Sequence, residues 1–255
     1  MSMLAVCSAH GAPGATTTAL AMAWSWPLAH PSRRVLLVDA DPAGSGLLTG
    51  LFQAGVAHTV GILAIAARRA PVTAEYVVEC AVALDANSAR MVVPGIAEPL
   101  QGRPLAGTWN ALREAARELG QLGVDVVVDI GRLGHRYEPT PMIDEADLVA
   151  VVLRGDLASV VPAAAAVRAL RAARSGRVAP VALVIGGGYS PAEISEALDV
   201  SSTLSVARDD WAATALSSGV ASGWRFDRSP LLRSARSVVE RLSQLAPDPR
   251  PAVLS

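Results

Sequence analysis

Residues 9–17, Ala-His-Gly-Ala-Pro-Gly-Ala-Thr-Thr, have the spacing of a loop that holds phosphate. In G-x-x-x-x-G-K-[ST] the backbone N–H groups cradle the phosphates, the lysine neutralises them and the hydroxyl holds Mg²⁺. Here Gly14-Ala15-Thr16 stands where Gly-Lys-Thr would stand. The substitution belongs to a wider bias: all 22 residues counted as Lys or Arg are arginines. Arginine without lysine, beside abundant Ala, Gly and Pro, points to a GC-rich coding sequence, which limits what one missing lysine proves. The loop residues His10, Gly11, Ala12, Pro13, Gly14, Ala15, Thr16 and Thr17 form a candidate phosphate cradle, with Thr16 at the Mg²⁺-ligand position.

Two further segments bear carboxylates suited to the same chemistry. Val35–Asp39 is an apolar run followed by Ala40-Asp41-Pro42, so Asp39 and Asp41 are one residue apart. Alternate side chains of a strand share a face, which lets both point to one site. Asp129 ends the run Val124–Asp129 and is the third acid. Carboxylates at the carboxyl ends of parallel strands lie where open α/β sheets bind ligands. Asp39 and Asp41 are the candidate catalytic groups if any activity is retained, and Thr16, Asp39 and Asp129 the candidate Mg²⁺ ligands if nucleotide binds.

The elements that must position these groups alternate short β-branched runs with helical stretches. Strands are expected at Met3–Ser8, Val35–Asp39, Arg90–Val93, Val124–Asp129, Leu148–Leu153, Val181–Ile185 and Thr203–Val206. Helices are expected at Ala15–Leu28, Thr108–Leu122, Ser159–Arg174, Ala192–Leu198, Asp209–Ser218 and Pro230–Leu245. Several strands are unbroken apolar runs, as in strands covered on both sides. The expected fold is α/β: a doubly wound, mostly parallel sheet with helices on both faces. Residues 1–245 are read as one domain, and 246–255, with three prolines, as a mobile tail. The last helix places Leu231, Leu232, Ala235, Val238, Val239, Leu242 and Leu245 on one face, which suits a core stripe. The alternative for that face is a membrane contact.

Composition narrows the partners. A net charge of −1 gives no global attraction to nucleic acid or anionic lipid. Cys7 and Cys80 form no disulfide framework, and Cys7 reads as a small core residue. No secretory leader and no run of about 18 apolar residues is visible, so the expected location is cytoplasmic, including the inner face of a membrane.

The three acid and glycine segments, in this order and spacing, resemble the MinD/ParA family of P-loop ATPases. The family pattern is K-G-G-x-G-K-[ST]-[ST], then V-D-x-D-x-x-x-G, then a strand ending D-x-x-x-G. Ala146–Val152 resembles the strand after the second switch, and Leu198–Gly219 the stretch that closes such domains, so the likeness covers nearly the whole chain. The resemblance implies a P-loop fold, an ATP·Mg²⁺ site and a homodimer. Both family lysines are absent: Ala15 and His10 stand at their positions. Losing a cation about 4 Å from phosphate forfeits roughly 4 kcal/mol at a surface-like dielectric, about a thousandfold in affinity. Glycines 186 and 187 replace the asparagine that reads adenine in the family, and Asp129-Ile130-Gly131 lacks the usual proline. His10, Arg132 and Arg154 are the candidate replacement cations.

Such erosion is similar to that of the CpaE/TadZ group, MinD-like proteins of Tad-type pilus and related secretion machines. The resemblance implies a pseudo-ATPase that acts as a dimeric localisation or assembly factor, with ATP and Mg²⁺ bound weakly or not at all. Its expected partners are a secretion ATPase or a membrane component. The alternative is a slow ATP-dependent dimerisation switch in partitioning or division positioning. A nucleic-acid role is disfavoured, although Arg168, Arg171 and Arg174 share one helical edge and Arg233, Arg236 and Arg241 another.

Overall fold

The computed structural model describes residues 1–10, 14–220 and 223–246. The loop positions Gly11, Ala12 and Pro13, and the tail from 247 onward, lie outside the described residues. Eight strands, β1 Met3–Ser8, β2 Arg34–Asp39, β3 Val82–Ala83, β4 Arg90–Val93, β5 Val124–Arg132, β6 Leu148–Gly155, β7 Val181–Gly188 and β8 Thr203–Val206, form one sheet in the order 3-4-2-5-1-6-7-8. Every pairing is parallel except β3 with β4.

The alternation of side chains along each strand builds two cores. From β1, Met3, Ala5 and Cys7 face one layer, and Leu4 and Val6 the other; β2 splits Leu36 and Val38 from Val35 and Leu37 in the same way. The first layer lies under helices α2 Ile62–Ala67, α3 Ala74–Glu79, α4 Ala106–Gln121, α5 Thr140–Asp144, α6 Leu157–Ala173 and α7 Pro191–Leu198. The second lies under α1 Ala15–Ala29, α8 Asp210–Ser217, α9 Trp224–Asp227 and α10 Pro230–Leu245. This is the doubly wound α/β arrangement expected from the alternating runs.

Three elements follow from local chemistry. Ser229 starts α10, its hydroxyl accepting from the Leu232 N–H at 3.3 Å, and Pro230 supplies a preset first turn. The apolar face of α10 is then buried: Leu231, Leu232, Ala235, Val238, Val239 and Leu242 all lie within the second core, against α1. A face committed to the core cannot also insert in a bilayer, so the membrane alternative for this helix is corrected to core packing. Helix α1 carries no charge, which suits its packing against both the sheet and α10. At the bottom of β5, Asp125 accepts from Trp26 Nε1 at 2.9 Å and from Arg33 Nε at 2.7 Å, closing a buried carboxylate with one cation.

Candidate functional site

The turn between β1 and α1 opens the site. Gly14 occupies the left-handed region, φ 95° and ψ 30°, which a side chain disfavours, and a Cβ there would stand 3.1 Å from Ile185 Cδ1. It caps α1 without a side-chain hydrogen bond, and the first turn holds no acid, so the helix presents free N–H groups and its positive dipole end. That is an anion-binding end by construction. Ala15 begins the helix and is only 6% exposed, with its methyl group in the second core. Thr16 and Thr17 are half-buried at the rim, and Thr18 is buried. His10 is exposed at the other end of the turn.

Strands β2 and β5 bring two acids side by side. Asp39 pairs in register with Asp129, and both are buried. Asp39 Oδ2 accepts from Ser45 Oγ at 2.5 Å and from the Gly95 N–H at 3.2 Å. Gly95 is glycine because a Cβ there would lie 2.5 Å from Asp39 Cγ. Asp129 Oδ1 accepts from the Gly131 N–H at 3.1 Å, while its Oδ2 is buried with no hydrogen-bond partner. Burial raises both carboxyls above the ordinary range, and for Asp39 the neighbouring Asp129 raises it further; Ser45 opposes the shift on Asp39, and Thr16 and Gly131 oppose it on Asp129. Two carboxyls buried in register on adjacent strands thus each favour the protonated form more than an exposed aspartate does.

Asp41 does not join this pair on the same terms. Its Oδ1 accepts from the Ala43 N–H at 2.8 Å, a local turn, and its carboxyl lies against Gly131 so closely that a Cβ there would meet Asp41 Cγ at 2.2 Å. Burial raises its pKa, against the Ala43 hydrogen bond and the His135 ring.

Two openings meet at the start of α1. One is a cavity of about 360 Å³ lined by Gly14, Thr17, Thr18, Ile185, Gly186 and Gly187, with Arg154, Asp156, Arg208, Asp209 and Asp210 supplying its charges. Its size is that of a small-molecule pocket. The other, lined by Thr16, Thr17, Ser45, Gly46, Leu47, Thr49, Gly50, Gln53, Ser217 and Ser218, has no charged residue in its wall. Arg132, at the exposed end of β5, lines neither. Arg154 does line the cavity, and so does Arg208, which sequence reasoning missed. The signal for Arg208 is its place just after β8, at the same carboxyl edge of the sheet as the phosphate turn.

The orphan Oδ2 of Asp129 and the Thr16 hydroxyl suit a Mg²⁺ ion, with Asp39 less available because Ser45 and Gly95 already occupy it. Among the described residues no three of His, Cys, Asp and Glu converge to hold a metal, so phosphate oxygens would have to complete the coordination. Of the phosphate turn, the described residues give the Gly14 turn, the free N–H groups at the start of α1 and the Thr16 to Thr18 hydroxyls, and the side-chain cations of the adjoining cavity are Arg154 and Arg208.

No protein-family model matches the chain, and no curated protein matches it in sequence. Solved structures do. A ParA family ATPase from Chlorobium tepidum TLS superposes with TM-score 0.75 at 13% identity, covering 94% of this chain and 98% of that one. The cell division ATPase MinD of Pyrococcus furiosus gives 0.70 at 17% identity, covering 96% and 99%. MinD in the MinC:MinD cell division complex of Aquifex aeolicus gives 0.70 at 15% identity, covering 98% of each chain. The fold is therefore that of the doubly wound α/β proteins with a phosphate-type turn after the first strand. Within it, the chain has the MinD/ParA fold over nearly its whole length.

Proposed function

We propose that the chain is a MinD/ParA-like pseudo-ATPase that works by binding. One observation carries this reading: position 15, where the family has its loop lysine, is an alanine whose methyl group packs in the core, and the pocket at Thr16 and Thr17 has only uncharged residues in its wall among the described residues. Phosphoryl transfer depends on electrostatic stabilisation of the transferred group, and the paired acids Asp39 and Asp129 would repel a triphosphate unless Mg²⁺ or a proton neutralised them. The eroded motif, by its resemblance to the CpaE/TadZ group, supports a dimeric localisation or assembly factor for a Tad-type pilus or related secretion machine. Residues 1–245 act as the functional unit and the loop-bearing face is the dimer face.

Calorimetric titration with Mg·ATP tests the chemical half. No saturable binding is expected up to hundreds of micromolar, and a micromolar Kd overturns the reading. Arg154 and Arg208 in the cavity wall favour one second reading, a slow ATP-dependent dimerisation switch whose cations come from the adenine side. Turnover that disappears in Asp39→Ala would establish that alternative.

A further inference from the structure

A second groove, of about 490 Å³, lies beside the cavity and shares Arg208 and Asp209 with it. Its walls are Trp211, Trp224, Arg225, Arg228, Ser229 and Pro230. Of the chain's five tryptophans, Trp26 and Trp109 are buried and Trp24 is half-buried; the two exposed ones are Trp211, at 51%, and Trp224, at 74%. Phe226 fixes the arrangement. It is fully buried, with ring centroids 5.5 Å from Trp24 and 6.4 Å from Trp211, so the single turn α9 is anchored by one ring and turns Trp224 outward. Arg225 sits over the Trp211 ring at 5.2 Å and Arg228 over Trp224 at 6.0 Å. Burying so much aromatic surface elsewhere and leaving these two rings out is the composition of an interface centre, where Trp and Arg dominate.

The charges say what covers it. Arg208 is neutralised by Asp210, with Nε to Oδ1 at 3.1 Å and Nη2 to Oδ2 at 3.2 Å. Asp209 is engaged as the cap of α8, accepting from the Ala212 N–H at 3.0 Å. Arg225 and Arg228 have no ion-pair partner among the described residues. Arg208, Arg225 and Arg228 are balanced by Asp209, Asp210 and Asp227, so no net field draws a polyanion or an anionic bilayer. A short segment, by contrast, can place one carboxylate between the two free guanidiniums and an apolar side chain against the rings.

We propose that the Trp211–Trp224 groove is the docking site of a protein segment that combines acidic with aliphatic or aromatic residues. This deepens the binding reading above by naming the chemistry of the partner, and rests on it for the role of that contact. The groove and the cavity have Arg208 and Asp209 as common wall residues.

The test uses the full chain on an array of immobilised 15-residue peptides: Glu with Leu and Phe, the same series with Lys for Glu, and Gly/Ser controls. The unaltered chain is expected to select the acidic-apolar series. Arg225→Glu/Arg228→Glu is expected to lose it at least tenfold and to shift preference to the Lys series. Trp224→Ser is expected to lose roughly tenfold against the acidic-apolar series, with its thermal melting unchanged as a check on folding. Equal retention of acidic and basic peptides, no retention of either, or variants that bind like the parent would overturn the proposal. So would loss, in the charge-reversed variant, of binding to vesicles of 30% phosphatidylglycerol in phosphatidylcholine or to a single-stranded oligonucleotide, when no peptide binds. Calorimetry with Mg·ATP reads the other site, so either proposal can fail alone.

Discussion

At the scale of the residue, the buried pair Asp39 and Asp129 has a thermodynamic signature. Each carboxyl holds its proton more tightly in the fold than in the open chain, because burial disfavours the charged form. The folded state therefore binds more protons than the unfolded one as pH rises from the ordinary carboxylate range, and stability falls through that window. Asp39→Asn keeps an acceptor for Ser45 and Gly95 while removing the ionisation. It is expected to raise Tm by roughly 2–6 °C at pH 8 and by little at pH 4, measured by calorimetry at both. Asp39 and Asp129 could be read as a site-facing pair from strand endings alone. Their depth of burial and the Ser45 and Gly95 contacts of Asp39 could not, since sequence spacing does not bring those residues to β2. The missing cation is testable at its own position: Ala15→Lys is expected to tighten Mg·ATP binding by up to about a thousandfold. It should also lower Tm, because the Ala15 methyl group already belongs to the core beneath α1. Unchanged calorimetric affinity would show that more than one charge has been lost.

At the scale of the element, backbone shape does as much as side-chain chemistry. Gly131 sits at φ 69° with the Asp41 carboxyl where its own Cβ would be, so Gly131→Ala is strained twice. The variant is expected to displace Asp41 and cost about 2–4 kcal/mol in urea unfolding. Helix α10 gives a second element-level expectation. Leu232→Ala should cost about 2–5 kcal/mol by opening a cavity against α1. Vesicle binding should not depend on its apolar face. The 3.6-residue period revealed that helix and its stripe, with both ends at Pro230 and Leu245. Strands β1, β4 and β8 were legible to the residue because apolar runs end abruptly at polar or turn positions. The short helices α2, α3, α5 and α9 were not legible: at four to six residues they carry too few turns for a period, and tertiary contacts alone hold them. Strand β3, two residues long and antiparallel, was missed for the same reason.

At the scale of the whole molecule, the sheet order decides which parts of the sequence meet. The chain leaves β1 to one side for β2, returns through β5, and crosses to β6 on the other, so the turn after β1 lies at the switch point. Distant segments ending at Asp39, Asp129 and Arg154 thus converge on Gly14. Arg208 joins them only because β8 completes the row, which no local motif announces. The same convergence makes the oligomer testable: if the loop face pairs two copies without a nucleotide bridge, sedimentation equilibrium should give a dimer that Mg·ATP leaves unchanged. A fully monomeric chain that dimerises on adding Mg·ATP would point to the switch reading instead.

The two outer strands of the sheet carry a last consequence. On one side β3 offers two residues, and on the other β8 offers four. Any stray chain seeking to extend the ladder finds too few rungs to hold on to, so the sheet resists edge-to-edge growth into fibrils. Copies of the chain held close together therefore meet short edges that template poorly.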